Sequence, residues 1–333
     1  MTRISLGDAS MTNILARQGA ALRGQVQDAS IEVTTGQHID LPKALRGDVS
    51  PLLAIDATLT RLAAFKTTAA DAALHTAAQQ AALTGLSSLA NGITTTLLGS
   101  RDFPTPAQVD AVAAYARGRL ESAVGLLNAQ VGGRAVFSGT ATSTVPLGTS
   151  EDMLTALETA ATGATTAGQV AAAVVGWFAD PAGYGAFYQG GASLTAAPIG
   201  PGDTADLSTT ALDPAIRDSL QGFALAALLD RGVLSGNAEE RGRLAQRAGQ
   251  ELLTGEDARI TLAARIGTVE GKIEAARTRN AAEETSLGIL RSDLGSVDPY
   301  EAATRLETAR AQLESLYLVT ARVARLSLTE YLR

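Results

Sequence analysis

The chain holds two histidines, His38 and His75, and no cysteine. Imidazole is the commonest metal ligand and a proton shuttle near neutral pH. A metal site, however, needs several donors at matched spacing. Neither histidine has such partners in sequence, so both read as solvated or locally hydrogen-bonded. The run GTVEGKI at 267–273 has the outline of a phosphate-binding loop, but its glycine spacing is wrong, and Ile273 stands where a Ser or Thr must hold magnesium. It also lies within a helical pattern, which makes helix surface the better reading. Gly132-Gly133-Arg134 could cradle an anion; a helix stop followed by a turn explains it more simply. Ser138 has no base near it in sequence. Trp177, Phe178 and Tyr184 could stack on a ligand or a sugar, although a small hydrophobic core accounts for them better. Glu283-Glu284, Asp56 and Asp71 read as solvated helix faces. The sequence therefore yields no catalytic, cofactor-binding or metal-ligating residue, and an enzyme would need a convergent polar set that is not found.

What remains is the surface of long helices. Residues 298–333 read DPYEAATRLETARAQLESLYLVTARVARLSLTEYLR. Asp298 followed by Pro299 is a helix-start signal, an N-cap with proline in the first turn. Leu306, Ala309, Leu313, Leu316, Thr320, Val323 and Ser327 then step by threes and fours, a heptad seam. With no Gly or Pro after Pro299, the helix can run about 35 residues, roughly 50 Å at 1.5 Å per residue. Leu326, Leu328, Tyr331 and Leu332 widen the seam at its end. The opening segment has a matching stripe: Ile4, Met11, Leu15, Leu22, Val26, Ala29 and Val33, helical in pattern through Ile39. Two long helices with one apolar stripe each suggest an antiparallel pair of chain ends. Two helices do not fully bury two stripes, so a third surface is expected, and another copy of the same chain is its simplest source.

Between the ends the pattern is also helical. Leu52, Ile55, Leu59, Leu62 and Phe65, then Leu74 to Leu97, make one face. After a turn at Gly99–Pro106, Val109 to Val131 make another helix, stopped by Gly132 and Gly133. Asp213-Pro214 repeats the helix-start signal. Asn237, followed by Glu239 and Glu240, caps a very long helix that Gly295 ends. Between Arg134 and Arg217 the composition changes. Lys and Arg disappear while Glu151, Asp152, Glu158, Asp180, Asp203 and Asp206 remain, and the single Trp lies here. Met153 to Phe178 reads as helical and Ser193 to Leu207 as short strands.

The expected fold is mainly α: an elongated antiparallel helical bundle or coiled coil with the N- and C-terminal helices paired, plus a small inserted α+β or irregular domain. The expected division is 1–40 with 296–333 as a terminal coiled-coil domain, 41–138 with 213–295 as a helical bundle, and 139–212 as the insertion. Heavy Ala and Thr content with 4% aromatic residues favours small-residue helix seams over a large aromatic core. A formal charge of -7 argues against nucleic acid. The first residues lack the apolar region of a secretory signal, and the longest apolar run, Val170 to Ala179, is too short to span a bilayer. A soluble chain is expected.

Three stretches carry a family resemblance. The ending holds Leu326, Ser327, Leu328, Tyr331 and Leu332. The start of the last helix holds Asp298, Glu301 and Ala302. The middle holds Gly133, Arg134, Phe137, Ser138 and Gly139 within VGGRAVFSGT. In that order these resemble the flagellin superfamily, and more narrowly its hook–filament junction family. Thr35 and Gly36 resemble the family's turn after the first helix; the acidic stretch that usually follows is reduced here to Asp48 before Pro51. The resemblance implies a structural subunit of the bacterial flagellum that joins hook to filament and is not an enzyme. It also implies export through the flagellar type III apparatus to an extracellular position. The implied partners are copies of the chain itself, hook-associated protein 1 on the hook side, flagellin on the filament side, and a type III export chaperone, with neither nucleic acid nor membrane. No cofactor is implied. Flagellin itself is the alternative within the superfamily, and a cytoplasmic coiled-coil adaptor the alternative outside it. The residues expected to form the assembly interface are Ile4, Met11, Leu15, Leu22, Val26, Leu306, Leu313, Leu316, Val323, Leu326, Leu328, Tyr331 and Leu332.

Overall fold

The structure is a computed structural model that describes residues 6–99 and 105–331. It is mainly α, with two small two-stranded antiparallel hairpins. The chain divides into two compact units. One is Met1–Arg61 with Ala282–Arg333, and the other is Leu62–Ala281.

In the first unit, α1 (Leu6–Thr35) pairs with α11 (Pro299–Tyr331). α1 ends at Thr35 rather than Ile39, because Gly36 takes the left-handed conformation at φ +69° and caps the last turn through its N–H to Glu32 O. The chain then turns back. His38 N–H donates to Gly295 O at 2.9 Å and Val297 N–H to Gly36 O at 3.0 Å, so the elbow after α1 is bonded to the segment before α11. Asp40 caps the one-turn helix α2 (Leu41–Ala44). Asp298 caps α11 as its sequence suggests, its Oδ1 accepting from Tyr300 and Glu301 N–H at 2.8 and 3.1 Å. The early part of α3 (Ser50–Leu98) and the late part of α10 (Glu256–Gly295) also belong to this unit, joined by an ion pair between Arg291 Nε and Asp56 Oδ1 at 2.7 Å.

The second unit is built around α8 (Pro214–Ala227). Ten of its fourteen residues are buried, so it is packed on nearly all sides. α4 (Pro106–Leu127) and α9 (Ala238–Thr254) lie against it. Small residues allow close approach. A Cβ at Gly222 would come within 2.8 Å of Leu252, and one at Gly249 within 3.0 Å of Leu97. Leu83, Leu86, Ile93 and Leu97 of α3 share the same core with Leu120, Leu127, Phe223 and Leu244.

Several expectations need correcting here. Gly132 and Gly133 do not cap a helix. α4 stops at Leu127 with Asn128 as its cap, and the two glycines, at φ +58° and +75°, form the turn between β1 (Gln130–Val131) and β2 (Arg134–Ala135). The long helix expected from Asn237 is two helices. α9 ends at Gly255 and α10 starts at Glu256, with the Arg259 guanidinium placed on the free carbonyl of Leu252. Met153–Phe178 is also two helices, α5 (Ser150–Ala160), which opens on a Thr149–Asp152 capping box, and α6 (Ala167–Ala179). The short strands are present as β3 (Ala197–Gly200) and β4 (Asp203–Ala205).

Residues 139–212 do not keep a core to themselves. Leu147, Met153, Leu157, Val170, Val174, Phe178 and Tyr184 are buried in the same cluster as Leu120, Phe223 and Leu244. The physical reason is size: a stretch this short, with α5, α6 and the one-turn helix α7 (Tyr184–Phe187), covers its apolar faces by packing on α4, α8, the turn at Leu228–Arg231 and α9. Ile199 and Ala205 of the β3–β4 hairpin pack on Ala69, Ala72, Ile273 and Ala276 of the long helices.

Candidate assembly surface

The candidate catalytic and ligand-binding groups resolve into structure. His75 is half-buried on α3, with its Nε2 3.1 Å from Gln79 Nε2. Burial, together with the nearby Arg134 charge, pushes its pKa down from 6.5. His38 lies beside Glu32, Nδ1 to Oε1 at 3.5 Å. The 267–273 segment is interior to α10, with its N–H groups committed to the helix rather than aimed at a phosphate. Ser138 is fully buried and donates to Ala135 O at 3.4 Å. Trp177 makes edge contacts with Phe178, Tyr184 and Phe187 at centroid distances of 5.1, 6.1 and 5.8 Å. Tyr184 is buried and donates to Ala211 O at 2.8 Å; burial pushes its hydroxyl pKa up. These rings are core. Among the described residues, no group of three or more His, Asp or Glu is placed to hold a metal, and no helix is long and apolar enough to cross a membrane.

The terminal helices carry the remaining chemistry, which is burial. α1 and α11 run antiparallel. Gly19 faces Leu316, where an added Cβ would sit 3.4 Å from Leu316 Cδ2, and Glu32 reaches Arg305 at 3.1 Å. Along this seam Leu22, Ala29 and Ala309 are buried, with Ala302 fully enclosed at the start of α11. Leu15, Val26, Leu306, Leu313, Leu316 and Val323 are only half-covered. Met11 is 50% exposed. The structure thus brings the two halves of the sequence-derived stripe together within one chain, and leaves much of it open. Ile4 and Leu332 lie outside the described residues, as do the side chains of Leu326, Leu328 and Tyr331.

Sequence reasoning missed a second set of apolar residues off the seam. Ile14 is 52% exposed on α1, and Tyr317, Leu318 and Val319 are 53%, 72% and 48% exposed on α11. The signal was present in the run Leu316–Val319. Four consecutive apolar residues are spread over three steps of about 100° around a helix, more than one seam can hold. Scattered exposed leucines are ordinary on a protein surface.

Residues 258–332 match the family model of the bacterial flagellin C-terminal helical region. In this fold the matched segment comprises nearly all of α10 and all of α11. No curated protein matches the chain by sequence. Among solved structures, similar ones include a protein described as flagellar hook-associated from Vibrio parahaemolyticus. It shares 14% identity and a TM-score of 0.49, over 73% of this chain and 95% of that one. FlgL of Bacillus cereus shares 14% identity and a TM-score of 0.49, over 72% of this chain and 99% of that one. At that similarity neither decides what this chain does.

Proposed function

We propose that the chain is a structural subunit of the bacterial flagellum that joins the hook to the filament, the role of hook-associated protein 3. It assembles through the outward faces of α1 and α11. The observation that carries this reading is the half-covered helix pair. Met11 and Ile14 of α1 face solvent, as do Tyr317, Leu318 and Val319 of α11, which lie within the segment that matches the flagellin family model. Burying one leucine of this kind contributes about 1.5–3 kcal/mol, and in a polymer that gain recurs at every contact. On this reading the neighbours are copies of the chain, with hook-associated protein 1 towards the hook and flagellin towards the filament. An export chaperone holds the terminal helices before secretion through the flagellar type III apparatus. The role requires no catalysis.

The test uses Leu318→Asp. Because Leu318 is 72% exposed, the substitution leaves the melting temperature of the purified chain within about 2 °C of wild type, as for surface changes generally. In the assembly it places a carboxylate in a subunit contact, at several kcal/mol if unpaired. Cells carrying only this variant are expected to make hooks without filaments. Normal filaments, or a large fall in the melting temperature of the free chain, would remove this face from the mechanism.

Flagellin is the second reading, favoured by the family model itself, which describes flagellin's own C-terminal region. The two separate in one experiment. A filament subunit, purified and seeded with sheared filaments, elongates them to micrometre length. A junction subunit does not elongate them, and its deletion leaves flagellin shed into the medium.

A further inference from the structure

The terminal helix pair is not covered evenly along its length. Near the elbow, Ala29, Ala302 and Ala309 are 7%, 0% and 6% exposed. Along the same seam the coverage falls away towards the other end, where Leu15, Leu316 and Val323 are only half-covered. At the well-covered end sits a carboxylate with an ion pair and a main-chain hydrogen bond on it, and an imidazole beside it. Glu32, in the last turns of α1, has a side chain only 12% exposed. Arg305 Nη2 of α11 lies 3.1 Å from its Oε2. The elbow contributes the Ile39 N–H at 3.3 Å and His38 Nδ1 at 3.5 Å, both on Oε1. Two main-chain hydrogen bonds tie the same elbow to Gly295 and Val297. One carboxylate therefore joins α1, the elbow and α11. The other charged groups around it are Asp28 on α1, Asp40 at the elbow and Lys43 on α2, which line the same cavity of about 590 Å³.

We propose that Glu32 is the latch from which the terminal pair closes, so that α1 and α11 open from their free ends inward while the elbow end stays docked. An ion pair and a main-chain hydrogen bond on one largely buried carboxylate hold three segments at once. They are concentrated at one end of a seam whose other end offers only half-covered side chains, and local opening starts where buried contacts are fewest. A latch at one end also sets register, because a helix pair free at both ends can slide by a heptad without losing its apolar stripe. The latch belongs to the free chain and does not depend on the assembly role. If that role holds, the latch keeps the pair in register while the open end meets neighbouring subunits.

Hydrogen exchange on the purified full chain tests this. In the wild type, protection in α1 and α11 is expected to fall steadily from residues 28–35 and 299–309 towards residues 11–16 and 316–323. Glu32→Gln keeps the size and the acceptor for Ile39 N–H but loses the charge pairing with Arg305. It is expected to speed exchange about threefold to tenfold in 28–39 and 297–309, the scale of losing one partly exposed ion pair, and so to flatten the gradient. Arg305→Leu has a smaller effect of the same pattern, and the double variant adds little to Glu32→Gln. Glu307→Gln, an exposed change on the same helix at a residue with no ion pair among the described residues, leaves the gradient intact. The latch is refuted by a wild-type gradient that is flat or reversed. It is equally refuted if Glu32→Gln leaves 28–39 and 297–309 unchanged, or if exchange accelerates equally in residues 62–281, which would make Glu32 a general stability residue.

Discussion

Gly139 in VGGRAVFSGT offers a quantitative check on the packing of the Leu62–Ala281 unit. Its φ is +56°, and a Cβ there would lie 2.2 Å from Ala192 O and 2.9 Å from both Ala192 C and Gly191 O. The obstacle is main chain, which cannot swing aside. Loops 138–140 and 190–192 are held together by Thr140 N–H to Ala192 O and Gly191 N–H to Ser138 O, both 2.8 Å. Gly139→Ala must therefore push the loops apart. The left-handed backbone costs an alanine about 1–2 kcal/mol. Of the two hydrogen bonds only that of Gly191 with the buried Ser138 is shielded from water, and stretching it adds about 1–3 kcal/mol. The reduced freedom of the unfolded chain returns about 0.4–1 kcal/mol. A net loss of about 1–5 kcal/mol is expected. Gly132→Ala is the matched control. Its φ is +58° and nothing lies within 4 Å of the added carbon, so only the backbone strain applies, about 1 kcal/mol after the same unfolded-state correction. Urea unfolding followed by the fluorescence of Trp177, the single tryptophan, reads both variants from within the same unit. If the two differ by less than about 0.5 kcal/mol, the close approach of the two loops is not real in solution and the reasoning fails.

Two further outcomes are expected. His75 has a folded-state pKa below its ordinary 6.5 through burial and the Arg134 charge, so below pH 6.5 the unfolded chain takes up the proton first. Stability of the Leu62–Ala281 unit should be flat above that pH and fall as pH drops through it; His75→Gln should remove that part of the slope in urea titrations between pH 7.5 and 5. Arg259 is 1% exposed and bonded only to Ser219 Oγ and Leu252 O, with its Nε unpartnered among the described residues, and burial lowers its pKa. Arg259→Met, which relieves the buried charge and keeps the volume, should be neutral or stabilising by about 1–2 kcal/mol, whereas Arg259→Ala should cost about 2–4 kcal/mol through the cavity it leaves; a Met variant as unstable as the Ala variant would show that the charge itself is needed.

Much of the helical layout was legible because it is local. Asp213-Pro214, Asn237 and Asp298-Pro299 begin helices, since a capping oxygen and a proline without an N–H act within a few residues of themselves. The heptad stripes at both ends made the pairing of α1 and α11 readable for a similar reason, as each stripe needs a complement and the two are of similar length. The Gly132-Gly133 turn was misread because a glycine pair serves a helix end and a hairpin equally well, and only the pairing of Gln130 with Ala135 distinguishes them.

The sequence by itself determined where most helices begin, which faces are apolar, and that the two ends carry matching seams. These depend on periodicity and short-range sterics, which neighbouring residues decide among themselves. Only the tertiary structure decided that residues 139–212 share their core with α8 and α9, that Gly255 divides one apparent helix into two around a buried Arg259, and that Glu32 meets Arg305 across 273 positions of chain. It alone also decided how much of each terminal seam stays uncovered. Burial and pairing of this kind arise between segments distant in sequence, and only the packed chain determines which of them meet.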